Sequence, residues 1–370
     1  MARIRCAAPL ALAIALAGCS ATTLDLPYYL QTARGHFAVL REARPIGELL
    51  AGGAVDPRLA PRLRQVVEIR EFATRELALP ANGSYRSYAD IGRPFVVWNV
   101  FAAPELSLRL KRWCFPVAGC VTYRGYFERA DAERLAQSLR EQGWEVQVAG
   151  VPAYSTLGWF DDPVLSTFIH YPEGELARLI FHELAHQVVY VKDDTSFNES
   201  FAVAVEEEGI RRWLAAQQGR PDAASLAAEA ARGMRLRSQF RVLVRTTRDR
   251  LAALYASGAP VDEQRAGKAA AFAAMRAEYE RMKAGWDGVP AFDRWFAAGA
   301  NNAGIAAAGL YADRVAAFAA LLAAEGGDLP RFYERVRALA ALPGPERGLA
   351  LADPTAAARA AESHAPRAAH

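Results

Sequence analysis

The segment Phe181-His182-Glu183-Leu184-Ala185-His186 lies in a stretch whose apolar spacing predicts a helix over about 174–191. Two histidines four positions apart project from one face of a helix, so both imidazoles can bind one metal ion. Glu183 lies beside the open position of such a metal, where its carboxylate can take a proton from a bound water. With six histidines in the chain, this pattern is expected by chance about 0.007 times. The segment therefore predicts a metal site with Glu183 as general base.

An ordinary amphipathic helix with two incidental histidines is the competing interpretation. Apolar residues surround the motif on nearly all sides, at positions Leu176, Leu179, Ile180, Leu184, Val188 and Val189. Two imidazoles and a carboxylate buried among them without partners would be costly. The composition of this helix therefore favours a metal site over chance.

A catalytic zinc site needs a third protein ligand and leaves its fourth position to water. The residues alone leave several candidates open, namely His170, Asp193, Asp194, Glu199 and the glutamates at 206–208. Glu199 lies in the next predicted helix, about one turn after the first, where an antiparallel return would pass the two histidines. The alternative is a structural role in a capping box, in which the Glu199 side chain folds back on the helix start near Ser196.

Outward from this motif, the chain divides into a small β region and a long helical one. Helices are predicted over about 28–50, 56–79, 131–142, 174–191, 197–218, 222–256, 261–285, 303–324 and 328–341. Strands are predicted over about 93–101, 121–127 and 144–151, where β-branched and aromatic residues alternate with turn signals. The fold class is therefore α+β, mostly α-helical, with a small sheet in the middle third before the HExxH helix.

We expect one domain over 19–352, with the sheet at about 93–152 and the helical part at about 173–345. Residues 353–370 are rich in Ala, Pro and Arg and are expected to be disordered. Hydrophobic residues make up 52% and charged residues 23%, which excludes a disordered chain, a collagen-like rod and a polytopic membrane protein. The net charge is +3 without a basic run, so we expect no nucleic-acid partner. The sequence gives no oligomeric state.

The first 18 residues predict a lipoprotein signal peptide. Two arginines precede an apolar stretch at 7–17 that is too short to span a bilayer of about 30 Å. It ends in Leu16-Ala17-Gly18-Cys19, a small-residue pattern before a cysteine. An ordinary secretory signal is the alternative. We expect export and a lipid anchor on Cys19 that holds a soluble domain at the periplasmic side of a membrane. Ser20 is not an aspartate, which favours the outer membrane.

Two cysteines remain beyond the signal and the anchor. Cys114 and Cys120 lie in one short segment, with Pro116 and Gly119 between them as turn residues. Because an exported protein meets an oxidising compartment, a disulfide is expected, with two free thiols as the alternative.

The segments Phe181–Gln187 and Asn198-Glu-Ser-Phe-Ala202, followed by Glu206, resemble the gluzincin aminopeptidases. The signal with Cys19, the segment Trp113-Cys-Phe-Pro116 and the segment 153–163 also resemble a bacterial family of lipoproteins described as aminopeptidases. The first resemblance covers only about 181–206, and the second covers nearly the whole mature chain.

This resemblance implies that His182, His186 and Glu199 bind Zn²⁺, one ion per chain, and that Glu183 is the general base. It places Glu206 and Asn198 behind the ligands or beside the substrate. The chain departs from the large gluzincin aminopeptidases in two ways. Only 12 residues separate His186 from Glu199, and the G-x-M-E-N stretch that binds the substrate amine is missing.

The sequence thus predicts an exported zinc metallopeptidase that hydrolyses peptides, with aminopeptidase action on short peptides or N-termini. An envelope zinc endopeptidase stays open, as does a lipoprotein with a structural zinc site that serves as a binding module. Glu183 argues against the last, because a structural site needs no general base. Tyr154 is a candidate donor to the oxyanion, and its alternative is a buried tyrosine that packs its loop.

Overall fold

The computed structural model describes residues 25–53, 55–115, 119–286, 288–310 and 313–353. The predicted signal peptide, Cys19 and the tail from residue 354 onward lie outside the described residues. Most of the described chain is helical, and its sheets have only two or three strands. This confirms the predicted class, α+β with a large excess of helix. Within the described ranges, no helix combines the length and apolar character needed to cross a membrane.

The helices described run in chain order from the N-terminal region to the C-terminal one. They are α1 Leu26–Glu42, α2 Ile46–Ala51, α3 Leu59–Leu77, α4 Arg129–Glu141, α5 Glu173–Ala185, α6 Thr195–Ala216, α7 Ala223–Ala256, α8 Val261–Ala284, α9 Asp293–Ala297, α10 Asn302–Gly309, α11 Val315–Ala324, α12 Leu329–Ala340 and α13 Gly344–Ala352. Asp25, Asp194, Asn301 and Asp328 each accept a bond from a backbone N–H of the helix that follows, which explains where four of these helices begin.

The strands form three small sheets. They are β1 Arg44–Pro45, β2 Ser87–Ala89, β3 Val97–Pro104, β4 Trp113–Phe115, β5 Gly119–Val121, β6 Arg124–Tyr126, β7 Trp144–Val151 and β8 Val164–Leu165. The largest sheet has the order β6-β3-β7 and is antiparallel, with Val97 opposite Val151 and Pro104 opposite Trp144. A second sheet has the order β1-β2-β8, and β4 pairs with β5 as a hairpin. Helix α4 packs on the first sheet, over Val100 and Val146.

Helix α5 lies at the centre of the main core. Its residues Leu176, Ile180 and Phe181 are fully buried, together with residues of α3, α6, α11, α12 and α13 in one continuous apolar cluster. Gly209 lets α6 approach α5 closely, because a Cβ at this position would lie 2.6 Å from Cδ2 of Phe181. A separate cluster lies between α7 and α8 and includes Leu251, Met275 and other apolar residues.

Several predicted elements differ at their ends. The helix predicted to reach residue 191 ends at Ala185, with His186 as its C-cap. The helix predicted over 303–324 is two helices, α10 and α11. The strands at 44–45, 87–89 and 164–165 were not predicted, because two or three residues carry no periodic signal.

Candidate metal site

The two histidines lie on the last turn of α5 and at its C-cap. Asn198 of α6 holds the turn that follows, since its side chain accepts a bond from the Val191 N–H at 2.8 Å and donates to the Val191 carbonyl at 2.9 Å. Asp193 takes a positive φ of 69° there, and its Oδ1 accepts the Cys120 N–H at 2.6 Å. Asn198, a candidate for substrate contact, therefore shapes the connection between the two helices.

The Cys114–Cys120 disulfide is present and closes the β4–β5 hairpin. Cys120 contacts the turn between α5 and α6 through Asp193. Asp194, the N-cap of α6, accepts bonds from Arg314 at 3.0 Å and Arg347 at 3.1 Å. The turn is therefore fixed from both sides by residues distant in sequence.

The short turn brings Glu199 back to the two histidines. Nε2 of His182 lies 3.4 Å from Oε2 of Glu199 and 3.2 Å from Nε2 of His186, and Nε2 of His186 lies 3.8 Å from Oε2 of Glu199. Asp194 is the N-cap of α6, and its Oδ1 accepts a hydrogen bond from the Phe197 N–H at 3.0 Å. Glu199 is therefore not the cap of α6. The structure brings these three residues together and places His170 on the surface.

The spacing of these three atoms fits a metal ion. In a tetrahedral zinc site with ligands at about 2.0–2.1 Å, neighbouring ligand atoms are about 3.3 Å apart. Among the described residues, His182, His186 and Glu199 form a group that could hold a metal, with one ligand atom each within 4.8 Å of the others. Two imidazoles and one carboxylate are the donor set of many catalytic zinc sites.

Glu206 lies about two helical turns after Glu199 on α6 and contacts the far side of the His182 ring. Its Oε2 accepts bonds from Nδ1 of His182 at 2.9 Å and from Nη1 of Arg178 at 2.8 Å. A carboxylate on Nδ1 fixes the ring orientation and leaves Nε2 free to face a metal. Nδ1 of His186, by contrast, is buried and finds no partner among the described residues. The two histidines are therefore held unequally.

Burial and charge set the protonation of the cluster. Burial lowers the pKa of His186 to about 4, so its ring is neutral at neutral pH, as a ligand must be. Burial also acts to lower the pKa of His182, but its bonds to Glu199 and Glu206 outweigh it and raise that pKa to about 10. Carboxylates that hold a proton on His182 would equally attract a metal cation.

Glu183, the residue after His182, is buried. Burial raises its pKa to about 7, with the positive charge on His182 opposing and the charges on Glu199 and Asp162 adding to it. A carboxyl with a pKa near the working pH can both take and return a proton.

The hydroxyl and the ring of Tyr154 both have partners within its own surroundings. Its hydroxyl lies 2.7 Å from Nδ1 of His36, and its ring packs edge-on against Phe127 at 5.7 Å. This arrangement favours the packing interpretation of Tyr154 over the oxyanion one.

Two buried groups beside Glu183, Tyr85 and Asp162, were not among the predicted site residues. Burial and the charges on Glu183 and Asp162 raise the pKa of Tyr85, and the Tyr85 hydroxyl has no bonding partner among the described residues. Asp162 is 2% exposed. Its Oδ2 accepts the Thr156 N–H at 2.9 Å, whereas its Oδ1 finds no partner in the described part of the chain.

A loop next to the HExxH helix positions these groups. Nε2 of Gln187 donates to Oγ of Ser84 at 3.1 Å, and Ser84 accepts the N–H of Asp162 at 3.3 Å. The N–H of Tyr85 donates to the carbonyl of Asp162 at 2.6 Å, with Tyr85 at a positive φ of 62°. In the sequence, Asp161-Asp162 before Pro163 is more typical of a turn than of a binding site, and Tyr85 carries no signal.

The fold and the site define a mostly helical α+β protein with a buried cluster of two histidines and a glutamate that can hold a metal ion. A comparison with protein-family models matches residues 27–351, and the chain belongs to the family described as "Putative aminopeptidase". This membership confirms the resemblance to an aminopeptidase family and supports peptidase activity, with a peptide as substrate. No curated protein matches the chain significantly. No solved structure does either.

Proposed function

We propose that the protein is a zinc-dependent aminopeptidase of gluzincin type, anchored by a lipid on Cys19 at the periplasmic face of the cell envelope. The observation that carries the proposal is the triangle of Nε2 atoms of His182 and His186 with Oε2 of Glu199, at 3.2, 3.4 and 3.8 Å. The domain would comprise residues 19–352, after removal of a signal peptide at 1–18.

Zinc held by these three residues would polarise the scissile carbonyl and lower the pKa of the attacking water. Glu183 accepts the proton of that water and then donates it to the leaving amine. Glu206 keeps His182 in one ring orientation through its bond to Nδ1. Arg178 keeps Glu206 ionised: burial acts to raise the pKa of Glu206, but Arg178 and His182 lower it to about 2.

An aminopeptidase also needs a carboxylate for the free α-amine of its substrate. Asp162 is the candidate, because its Oδ1 is buried with no partner among the described residues and its charge acts on Glu183. An incoming ammonium group would supply the missing donor and neutralise the buried charge. The chain lacks the G-x-M-E-N stretch, and Asp162 would take the role of the glutamate in that stretch.

A paired panel of peptides tests this proposal. The zinc-loaded protein is offered peptides with a free N-terminus beside the same peptides acetylated there. We expect cleavage of the free-amine set only. Equal cleavage of both sets would make the protein an endopeptidase, and bound zinc without turnover would favour a binding module.

Asp162→Asn and its neighbour Asp161→Asn form a matched pair for the amine site. Asn keeps an acceptor for the Thr156 N–H but loses the charge, so we expect KM for free-amine peptides to rise about 10- to 100-fold with little change in kcat. Asp161 is exposed, and Asp161→Asn should leave KM unchanged. An equal effect of both variants would contradict the assignment.

A further inference from the structure

The outward face of α1 is apolar. Leu26 and Leu30 are each 60% exposed, and Phe37 is 58% exposed. At about 100° per residue these three side chains lie within about 40° of one another around the helix. Val39 is buried on the opposite side of the helix, and His36 is buried on its flank, about 80° from Leu26. A surface helix normally turns polar residues outward, so α1 carries one apolar face into the protein and a second one away from it.

Two aromatic side chains from another segment extend this face. Phe160 contacts Phe37, with ring centroids 6.3 Å apart, and it also packs on His36 at 4.5 Å. Trp159 beside it is 75% exposed, and Phe160 is 42% exposed. The apolar face of α1 and the 159–160 pair therefore form one exposed surface, made of Leu26, Leu30, Phe37, Trp159 and Phe160, which we call the α1 face.

Basic residues border the α1 face. Arg34 and Arg41 are exposed and lie within about 80° of Leu26 on the helical projection. Exposed leucine and aromatic side chains with arginines at their margin are typical of helices that lie in a membrane interface with anionic lipids. Tryptophan is itself enriched at that interface.

The chain length between α1 and the proposed lipid anchor limits where this face can be. Cys19 precedes Asp25, the N-cap of α1, by six residues, which extend to at most about 20 Å. If Cys19 carries a lipid, α1 must therefore begin close to the membrane surface. This step rests on the lipid anchor of the proposed function, whereas the exposure of the α1 face does not.

We propose that the α1 face docks on the lipid surface of the membrane, with Leu26, Leu30, Phe37, Trp159 and Phe160 in the interface. A lipid on Cys19 would tether the chain at one point and leave the domain free to rotate about it. The α1 face adds apolar contact with the bilayer and fixes the orientation of the domain. The ligand is a bilayer that contains anionic phospholipid.

Vesicle binding without the lipid anchor tests the proposal. The chain is exported behind a cleavable signal so that it begins at Ser20, which retains every described element. Sedimentation with vesicles of phosphatidylethanolamine and phosphatidylglycerol, 3:1, then measures its partition coefficient. Leu30→Glu combined with Phe37→Glu is compared with Leu349→Glu, which changes a residue that is 75% exposed on α13. Thermal unfolding and hydrolysis of a soluble dipeptide monitor folding and activity in every variant.

We expect the double variant to lower the partition coefficient about tenfold or more, while Leu349→Glu matches the wild type. We also expect a brominated lipid to quench tryptophan fluorescence less in Trp159→Phe than in the wild type. Absence of vesicle binding by the wild type, or an equal loss with Leu349→Glu, would overturn the proposal. A wild-type dimer that dissociates when Phe37 is replaced would assign the face to a second copy of the chain instead.

The outcome is separate from that of the proposed function. Mass spectrometry of the natural protein reports whether Cys19 is lipidated, and dipeptide hydrolysis reports the enzyme. Neither measurement involves the α1 face, so either proposal can fail while the other stands.

Discussion

Two helix pairs in this protein, α5–α6 and α7–α8, have similar antiparallel packing but opposite interiors. Between α5 and α6 the chain buries several polar and charged side chains, namely Glu173, His182, Glu183, His186, Asn198 and Glu206. Between α7 and α8 the described buried residues are apolar or aromatic apart from Thr247, whose hydroxyl bonds to Leu243 of its own helix.

The difference shows what a helix pair needs for stability alone. Burying an ionisable group is costly unless it is paired, and α7–α8 avoids that cost. In α5–α6 nearly every buried charge has a partner: Glu206 has His182 and Arg178, and Glu173 has Arg220 at 2.8 Å. Such an arrangement stabilises the fold less than an apolar one would, so its presence indicates that the pair serves a site.

The largest expected effect is the loss of metal on removal of a ligand. We expect Glu199→Ala to lower the zinc content, measured by atomic emission, from about one ion per chain to near zero. His170→Ala removes an exposed histidine outside the cluster and should leave the zinc content unchanged. Retention of full zinc content by Glu199→Ala would assign the third ligand to another residue.

Glu206 is expected to have the next largest effect. Glu206→Gln weakens the hold on Nδ1 of His182, so we expect a 10- to 100-fold loss of zinc affinity in competition with a chelator. Glu207, next to it on α6, forms a half-exposed ion pair with Arg241. Glu207→Gln is the control and should bind zinc as the wild type does.

Alanine substitutions at two glycines, one in each helix pair, allow a direct comparison of how tightly the two pairs are packed. A Cβ at Gly209 would lie 2.6 Å from Phe181, which is fully buried, so Gly209→Ala should lower the free energy of unfolding by about 1–3 kcal/mol. A Cβ at Gly267 of α8 would lie 2.9 Å from the end of Leu254, a partly exposed side chain that can move. Gly267→Ala should therefore be neutral or stabilising, since alanine favours helix by about 1 kcal/mol. If urea titrations showed that the two variants are equally destabilised, the proposed difference in packing between the two helix pairs would be wrong.

The smallest effect concerns pH. Burial raises the pKa of Asp162 to about 6, well above its value of 3.8 in an unfolded chain. Between pH 3.8 and about 6, the Asp162 carboxyl therefore keeps its proton in the folded state and has lost it in the unfolded state. Above pH 6 the carboxyl is ionised in both states, and its buried charge destabilises the folded protein. Asp162→Asn should be more stable than the wild type at pH 7 by of the order of 1 kcal/mol. Chemical denaturation should show the gap closing as the pH falls to 4, whereas a constant gap would contradict the assignment.

The relative placement of the two histidines could be predicted from sequence because one helix fixes it. Spacing alone placed His182 and His186 on one face. Glu199 could not be chosen from the residues, since its place depends on the turn over 187–194. That turn is set by Asn198 bonding to Val191 and by Cys120 bonding to Asp193, contacts that local patterns do not encode.

The fold class could also be predicted, whereas the ends of several helices and strands could not. Residues 186–191 continue the apolar spacing of α5, yet the chain leaves the helix because Asn198 takes up both backbone groups of Val191. Tertiary bonding here outweighs local periodicity. The proximity of Asp162 and Tyr85 could not be predicted either. The strands β2 and β8, which bring their segments together, have only three and two residues.

The most direct test of the account measures zinc content and peptide hydrolysis on the same samples of wild type and Glu183→Gln. We expect both proteins to hold about one zinc per chain, with kcat for a free-amine peptide lowered about 10²- to 10⁴-fold in the variant. A Glu183→Gln protein that binds zinc and hydrolyses the peptide at the wild-type rate would contradict the account.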